Sequence, residues 1–236
     1  MNTFLFVHGA FQGSWCWDQI KPSLQQKGHT VIAIDLPGSG EDATPPQDVS
    51  LESYVNKVVT TIEKIDEPVI LVGHSMSGMV ISQVAENIPD KIKKLVYVCA
   101  FVPENGQAIS DIASGGPKAT FDEKNQTITL MEEFIAKDML NESSEEDLQL
   151  FKKKIRPQPV QPFEDQVYLT NERFGRVPSV YIETTNDRSI PIDLQRRMYE
   201  TRRFECVYTL DADHFPFYSR KKELVDCLLD IAATER

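Results

Sequence analysis

Short apolar runs alternate along most of this chain with segments in which apolar residues recur every three or four positions. The short runs are rich in β-branched residues and too short for helices, which predicts buried strands. They lie at residues 3–7, 30–34, 69–72, 95–101, 179–183 and 205–210. The periodic segments predict amphipathic helices at residues 18–27, 51–62, 76–88, 191–201 and 221–233. This alternation indicates an α/β architecture, with a mostly parallel sheet flanked by helices on both faces.

The alternation stops between residues 104 and 176. Only short elements are predicted in this segment: a hairpin around residues 122–125, helices near 132–140 and 144–154, and a proline-rich extended stretch at 157–162. We interpret residues 104–176, called the cap segment below, as a cap inserted over the carboxyl edge of the sheet. Residues 1–103 and 177–236 then form the core. An excursion with no role in substrate binding is the alternative, but ligand sites favour covered clefts of this kind.

The third apolar run leads directly into GHSMSG at residues 73–78 and then into a helix. A strand, a tight turn of small residues and a helix, with Ser75 at the apex, is the arrangement of a nucleophile elbow. The helix N-terminus presents free N–H groups that suit a developing oxyanion. The usual pattern is G-x-S-x-G, whereas here Ser77 takes the place of the last glycine and Gly78 follows it. The alternative is a turn in which Ser75 only caps the helix.

A serine hydroxyl needs a general base, which is usually an imidazole. His8 lies in the turn after the first strand, and His29 precedes a strand. His74 adjoins Ser75, and its side chain is expected to point away from the nucleophile. Since His214 alone follows a strand end downstream of the elbow, elimination favours His214 as the base.

The imidazole in turn needs an acid that fixes its tautomer and stabilises the imidazolium. Asp187 follows the fifth predicted strand and gives the chain order Ser, Asp, His that is typical of this arrangement. Asp211 and Asp213 are too close to His214 along the chain for an easy approach to its far nitrogen. Glu104, which follows the fourth strand, stays open as the alternative to Asp187.

Acyl transfer also requires two N–H donors directed at the tetrahedral oxyanion. The backbone of Met76, directly after the nucleophile, is predicted as one donor, and the backbone of Ala10, after the first strand, as the other. Four aromatic residues are predicted to line an apolar substrate pocket, with a core position as the alternative for each. They are Phe11, Trp17, Phe101 and Phe134.

The composition of the chain indicates which binding partners, cofactors and cellular location to expect. The formal net charge of −11 over 236 residues argues against nucleic acid and anionic membrane. The four cysteines form no CxxC pair, so neither a zinc ribbon nor thioredoxin-like chemistry is predicted, and no metal or other cofactor is expected. With no signal peptide and no transmembrane helix recognisable in the sequence, we expect a cytoplasmic protein. The predicted partner is a small-molecule ester, and a homodimer is left open.

Several of these segments together resemble the α/β-hydrolases. Within them, the chain resembles the group of plant methylesterases, the salicylic-acid-binding esterase, plant hydroxynitrile lyases and their bacterial esterase relatives. The resemblance covers nearly the whole chain and rests on FVHGAFQGSWCW, VILVGHSMSGMV, LVYVCAFVP, IRPQP, LTNERFGRVPSVYIETTNDRSIP and DADHFPFYS. It implies an α/β-hydrolase fold and a serine esterase with a triad of Ser75, Asp187 and His214 and an oxyanion hole at Ala10 and Met76.

The lyase branch of that group resembles the esterases but carries a threonine directly after the position of Gly9 and a lysine after the histidine. This chain has Ala10 and Phe215 there, which disfavours cyanogenic lyase activity because the cation facing the cyanide is missing. The predicted function is hydrolysis of small, fairly apolar methyl or aryl esters through an acyl-enzyme. The alternatives are C–C hydrolysis or a lyase step on the same triad, and non-catalytic binding of a small molecule on a hydrolase scaffold.

Overall fold

The structure, a computed structural model, describes residues 1–113 and 118–234. The strands are β1 Thr3–Val7, β2 Thr30–Ile34, β3 Val69–His74, β4 Ile92–Val98, β5 Ala119–Asp122, β6 Thr127–Leu130, β7 Gln158–Pro159, β8 Ser179–Thr184 and β9 Cys206–Leu210. The α-helices are α1 Lys21–Gln26, α2 Leu51–Ile62, α3 Ser77–Asn87, α4 Ile109–Ile112, α5 Glu132–Phe134, α6 Glu145–Lys154, α7 Gln161–Glu164, α8 Ile192–Tyr199, α9 Pro216–Ser219 and α10 Lys221–Ala233. Short 3₁₀ turns lie at Ser14–Trp17, Pro46–Asp48, Pro89–Lys91 and Phe174–Arg176, and a π-helical turn at Ile135–Met139.

The main sheet has six strands in the order β2-β1-β3-β4-β8-β9, and each neighbouring pair is parallel. The side chains of β1 and β3 are buried throughout, because helices cover both faces of a parallel sheet. The predicted α/β architecture is confirmed. Strand β4 ends at Val98, earlier than predicted, since Cys99 adopts a left-handed φ of 34° and the chain leaves the sheet there.

The helices largely follow the apolar periodicity. Ser50 caps α2 as its sequence suggests: its hydroxyl accepts from the Ser53 N–H at 3.1 Å, and the Ser53 hydroxyl accepts from the Ser50 N–H at 3.0 Å. The helix predicted over residues 18–27 is shorter in the structure, where α1 spans only Lys21–Gln26. A separate 3₁₀ turn at Ser14–Trp17 precedes it.

The cap segment contains the short elements that the sequence predicts. Strands β5 and β6 form an antiparallel hairpin, and β7, from the proline-rich stretch, pairs with β6 to make a separate three-stranded sheet. The helix predicted near 132–140 is divided into α5 and the π-helical turn. Residues 114–117 of the predicted cap and 235–236 of the predicted core lie outside the described residues. The boundaries of cap and core stay predictions.

The sheet order places one crevice at the carboxyl ends of its central strands. Strand β1 pairs with β2 on one side and β3 on the other, so the direction of winding reverses between β1 and β3. Ligands of open α/β sheets bind beyond the strand ends at such a switch point. Residues 8–10 follow β1 and Ser75 follows β3, so the candidate groups meet at this crevice. Within residues 1–113 and 118–234, none of the helices combines the length and apolarity of a membrane span.

Candidate active site

Ser75 occupies a strained turn between β3 and α3. Its φ of 54° lies in the left-handed region, which residues with a Cβ atom rarely adopt. Backbone hydrogen bonds hold it there: its N–H donates to the Val98 carbonyl at 3.3 Å, and its carbonyl accepts from the N–H groups of Gly78 and Phe101, both at 3.1 Å. This is the backbone geometry that a nucleophile elbow requires.

The small residues after Ser75 explain how the turn packs. A Cβ atom on Gly78 would lie 1.9 Å from the Phe101 carbonyl oxygen, so only glycine fits at that position. Ser77 is fully buried, and its hydroxyl donates a hydrogen bond to the His8 carbonyl. The hydroxyl thus joins the elbow to the loop after β1. The departure from G-x-S-x-G is accommodated because the tight approach falls on residue 78 rather than residue 77.

Three side chains from different strand ends meet at the elbow. The Ser75 Oγ lies 3.0 Å from Nε2 of His214, and Nδ1 of His214 lies 2.7 Å from Oδ2 of Asp187. Ser75, His214 and Asp187 are only 9%, 2% and 4% exposed. Because a carboxylate only accepts hydrogen bonds, Nδ1 of the neutral imidazole carries the proton and Nε2 is free to accept the serine proton. These contacts are those of a Ser–His–Asp triad.

The structure separates Asp187 from its rival carboxylates. Oδ1 of Asp187 accepts from the N–H groups of Ser189 and Ile190, both at 2.8 Å, which leaves Oδ2 directed at His214. Glu104 is exposed, and among the described residues its carboxylate forms no hydrogen bond or ion pair with His214. Asp187 is therefore the acid placed to orient His214.

Asp213 has a different role that the sequence did not reveal. Its fully buried carboxylate accepts four hydrogen bonds of 2.7–3.0 Å. Two of the donors, the Phe215 N–H and the Ser219 hydroxyl, follow Asp213 in the chain. The other two belong to the cap segment and are the Glu142 N–H and the Ser143 hydroxyl. Asp213 therefore fastens the loop of the adjacent residue His214 to the cap segment.

His74 lies directly beneath His214. Its Nε2 is 2.8 Å from the His214 carbonyl oxygen, so this nitrogen carries the proton and donates, and the two rings lie 4.7 Å apart between centroids. The Nδ1 atom of His74 then accepts from Nε2 of Gln12 at 3.4 Å. Burial holds the pKa of His74 well below its ordinary value, and the neighbouring His214 acts in the same direction. A neutral His74 thus supports the main chain of the candidate base.

Stability is expected to fall in mild acid because of two buried histidines. Burial lowers the pKa of both His8 and His74 from the ordinary 6.5. Below about pH 6.5 the unfolded chain therefore binds more protons than the folded chain, so the free energy of unfolding decreases as the pH falls. Two such groups change the free energy of unfolding by at most about 2.7 kcal/mol per pH unit.

Urea unfolding between pH 7.5 and 5.5 measures this slope, and His74→Gln should make it shallower. An unfolding free energy that does not change across this range would contradict the prediction.

The two predicted oxyanion donors belong to the turns that follow β3 and β1. Met76 is the residue before α3, where N–H groups have no partner inside the helix. Ala10 lies in the loop after β1, and a Cβ atom on its neighbour Gly9 would stand 3.0 Å from the Ser75 Cβ, so this loop passes close to the nucleophile. Among the described residues, neither N–H donates to a protein acceptor. Their role as an oxyanion hole stays a prediction.

The four aromatic residues predicted for the pocket lie in different surroundings. Trp17 is fully buried, with ring centroids 4.8 Å from both Phe6 and Phe217, which are the contacts of a core residue. The other three are buried but retain some exposure, and Phe101 is hydrogen-bonded to the elbow itself. They are Phe11, Phe101 and, in the cap segment, Phe134. A part in substrate binding stays a prediction for each of them.

One buried cluster has the composition of a metal site. The ligand atoms of His74, Cys99 and His214 lie within 4.8 Å of one another. All of these atoms have hydrogen-bond partners in the protein. The His214 carbonyl accepts from the His74 Nε2 and, at 3.4 Å, from the Cys99 thiol. The two ring nitrogens of His214 contact Ser75 and Asp187. The cluster fits a hydrogen-bonded support for His214 better than a set of metal ligands.

The family model of the alpha/beta hydrolase family matches residues 4–227. The chain belongs to this family. It is 32% identical over 250 residues to salicylic acid-binding protein 2 of Nicotiana tabacum, covering 97% of this chain and 96% of that protein. It is 31% identical over 252 residues to methylesterase 7 of Arabidopsis thaliana, covering 97% and 95%. The crystal structure of the methylesterase MES16 from Arabidopsis superposes with a TM-score of 0.90 at 26% identity, over 99% of both chains.

These findings confirm the α/β-hydrolase fold and the resemblance to the plant methylesterase group. The chain is an ester hydrolase of the serine hydrolase class. The positions after strand ends pointed to Ser75 and His214 and left Asp187 and Glu104 as candidate acids, and the structure brings Ser75, His214 and Asp187 together. The sequence did not reveal the roles of Asp213 and His74, because no local pattern shows which distant groups a buried polar side chain contacts.

Proposed function

We propose that this hydrolase cleaves small, fairly apolar methyl or aryl esters through an acyl-enzyme on Ser75. The observation that carries the proposal is the continuous hydrogen-bonded relay from Asp187 through His214 to Ser75, with distances of 2.7 and 3.0 Å, on a strained elbow. The similarity to methylesterase 7 and MES16 over almost the entire chain supports the ester class.

In the first half-reaction, the Ser75 Oγ attacks the ester carbonyl carbon while Nε2 of His214 takes the hydroxyl proton. The carbonyl oxygen becomes an oxyanion, and we assign its stabilisation to the N–H groups of Ala10 and Met76. Asp187 stabilises the imidazolium by accepting from Nδ1. When the tetrahedral intermediate collapses, the C–O bond to the alcohol breaks, and His214 gives its proton to the departing alkoxide.

The second half-reaction repeats these steps with water. Nε2 of His214 takes a proton from water as its oxygen attacks the acyl carbon, and a second oxyanion forms in the same place. Collapse breaks the bond to Oγ and returns the proton to Ser75. The products are one alcohol and one carboxylic acid, and the relay is regenerated without a cofactor.

The surroundings favour neutral, apolar substrates. Ser75 is almost closed to solvent, and apolar side chains of Phe11, Phe101 and Phe134 are the candidates for the walls around it. The net charge of −11 disfavours the approach of anionic esters. Cytoplasmic location, and a small-molecule ester as partner without nucleic acid or membrane, belong to this proposal, with a homodimer left open.

The alternatives on the same scaffold are weaker. Phe215 is fully buried where the resembling lyases carry a lysine, which leaves no cation at that position for a cyanide leaving group. A binder without catalysis has no need of the aligned proton relay. Hydrolysis of a C–C bond uses the same three residues and is distinguished only by a substrate panel.

The test is a panel of short-chain p-nitrophenyl esters and aryl methyl esters, combined with labelling by a fluorophosphonate. We expect turnover of several esters, and intact-mass and peptide analysis should place one phosphonyl group on Ser75. A folded protein that hydrolyses none of these esters would contradict the proposal and leave C–C cleavage, lyase chemistry or ligand binding. Labelling at a residue other than Ser75 would contradict the assigned nucleophile.

A further inference from the structure

Gln158, in β7 of the cap segment, is a buried amide whose polar atoms are all used. Only 1% of it is exposed. Its Oε1 accepts from the Phe11 N–H at 3.0 Å, and its Nε2 donates to the Tyr54 hydroxyl at 3.0 Å and to the Pro159 carbonyl at 3.1 Å. Both ends of the amide are fixed, so its oxygen is held at one point against the loop after β1.

Phe11 is the residue that this oxygen holds, and its backbone is strained. Its φ is 67°, in the left-handed region that a bulky side chain rarely adopts. Its carbonyl accepts from the Arg156 N–H at 3.1 Å, so residues 156 and 158 of the cap segment hold Phe11 on both sides. A strained conformation of this kind persists only where the surrounding structure fixes it.

The strain lies next to a predicted oxyanion donor. The Phe11 N–H belongs to the planar peptide unit that begins at Ala10, so fixing that N–H fixes the plane directly after the Ala10 N–H. The same loop also packs closely against the elbow at Gly9. A Cβ atom on Gly9 would lie 2.8 Å from the His74 Nδ1 and 3.0 Å from the Ser75 Cβ. The residue before Ala10 is therefore confined by the elbow, and the residue after it is held by Gln158.

We infer that Gln158 is a positioning residue for the oxyanion hole: it keeps Phe11 in its left-handed conformation and thereby aims the Ala10 N–H at the developing oxyanion. Gln158 itself touches no reacting atom. The inference rests on the proposed function, because it assigns the Ala10 N–H a part in acyl transfer. It also gives the cap segment a part in the chemistry beyond covering the site.

Gln158→Met tests the inference, since methionine has a similar volume and no hydrogen-bonding amide. Loss of an oxyanion donor costs about 10²- to 10³-fold in kcat, so misaligning one donor should lower kcat by about 10- to 100-fold. KM should stay within about threefold, because the ground-state ester makes weaker use of this donor. Gln158→Glu keeps the acceptor for the Phe11 N–H and should recover most of the lost kcat. Gln161→Leu, an exposed position three residues along, is the matched control and should match the wild type.

A second measurement separates positioning from general loosening. A trifluoromethyl ketone forms a hemiketal with Ser75 that carries an oxyanion, whereas the methyl ketone of the same chain length binds without one. Gln158→Met should weaken inhibition by the trifluoromethyl ketone by the same factor as kcat/KM, and leave inhibition by the methyl ketone within about threefold.

The outcomes distinguish this inference from the function on which it rests. A folded Gln158→Met variant with wild-type kcat and wild-type inhibition by the trifluoromethyl ketone would overturn the inference alone. A wild-type protein that hydrolyses no ester would overturn the proposed function. If Gln158→Met does not fold, Gln158→Asn decides, because its amide is one methylene too short to reach the Phe11 N–H: a 10- to 100-fold loss of kcat supports the inference, and wild-type kcat and fluoroketone inhibition overturn it.

Discussion

Ser75→Ala is expected to lower kcat/KM for ester hydrolysis by about 10⁴- to 10⁶-fold, the size of effect found when a serine protease loses one member of its triad. Alanine removes the Oγ that lies 3.0 Å from Nε2 of His214, so no acyl-enzyme can form. The fold should tolerate the change, because the left-handed backbone at residue 75 is held by main-chain hydrogen bonds with residues 78, 98 and 101. The measurement is steady-state hydrolysis of the best ester of the panel.

Ser110→Ala, at an exposed position of α4, is the matched control and should retain full activity. The variant Ser75→Ala should also fail to react with a fluorophosphonate. If it kept a tenth or more of the wild-type kcat/KM, the acyl-enzyme route would be wrong. A mechanism in which His214 acts as a base without a covalent intermediate would then take its place.

Asp187→Asn is expected to lower kcat by about 10⁴-fold, the size of effect known for the corresponding change in a serine protease. Oδ1 of Asp187 accepts from the N–H groups of Ser189 and Ile190, so the oxygen of an asparagine must stay on that side. The NH₂ group then faces Nδ1 of His214 and forces this nitrogen to accept. The proton moves to Nε2, which can no longer take the proton of Ser75.

The matched control is Asp193→Asn, which removes the same charge from an exposed position in the first turn of α8. It should leave kcat unchanged. In Asp187→Asn, the rate of phosphonylation at Ser75 should fall with kcat, because both steps use the same proton transfer, while KM changes little. A folded Asp187→Asn variant within tenfold of the wild-type kcat would show that Asp187 does not set the tautomer of His214.

The fold and the main residues of the site follow from local patterns in the sequence. The apolar runs predicted the strand ends to within a few residues, and the polar residues just after those ends are the ones that meet in space. Ser75 was found from the strand–turn–helix around it, and His214 by eliminating the other histidines. The sequence left Asp187 and Glu104 both open, because only a distance decides which carboxylate reaches Nδ1 of His214.

The supports of the site follow from no local pattern. Gln158 contacts Phe11 across 147 residues of chain, and Asp213 contacts the Glu142 N–H across 71 residues. Gln158 lies in a short strand within a proline-rich stretch and Asp213 in a polar loop, and for both segments sequence patterns predict exposure to solvent. For Trp17 the sequence predicted a place in the pocket and left a core position open; its ring packs against Phe6 and Phe217, and a part in substrate binding stays a prediction.

The position of the tight glycine in the elbow bears on how such enzymes are recognised in genomes. A pattern search that demands glycine two residues after the serine would pass over this chain, because residue 77 is a serine. The collision that a Cβ atom would make with the Phe101 carbonyl lies one residue further on, at Gly78. A pattern that accepts any small residue two positions after the serine and requires glycine three positions after it would include this chain.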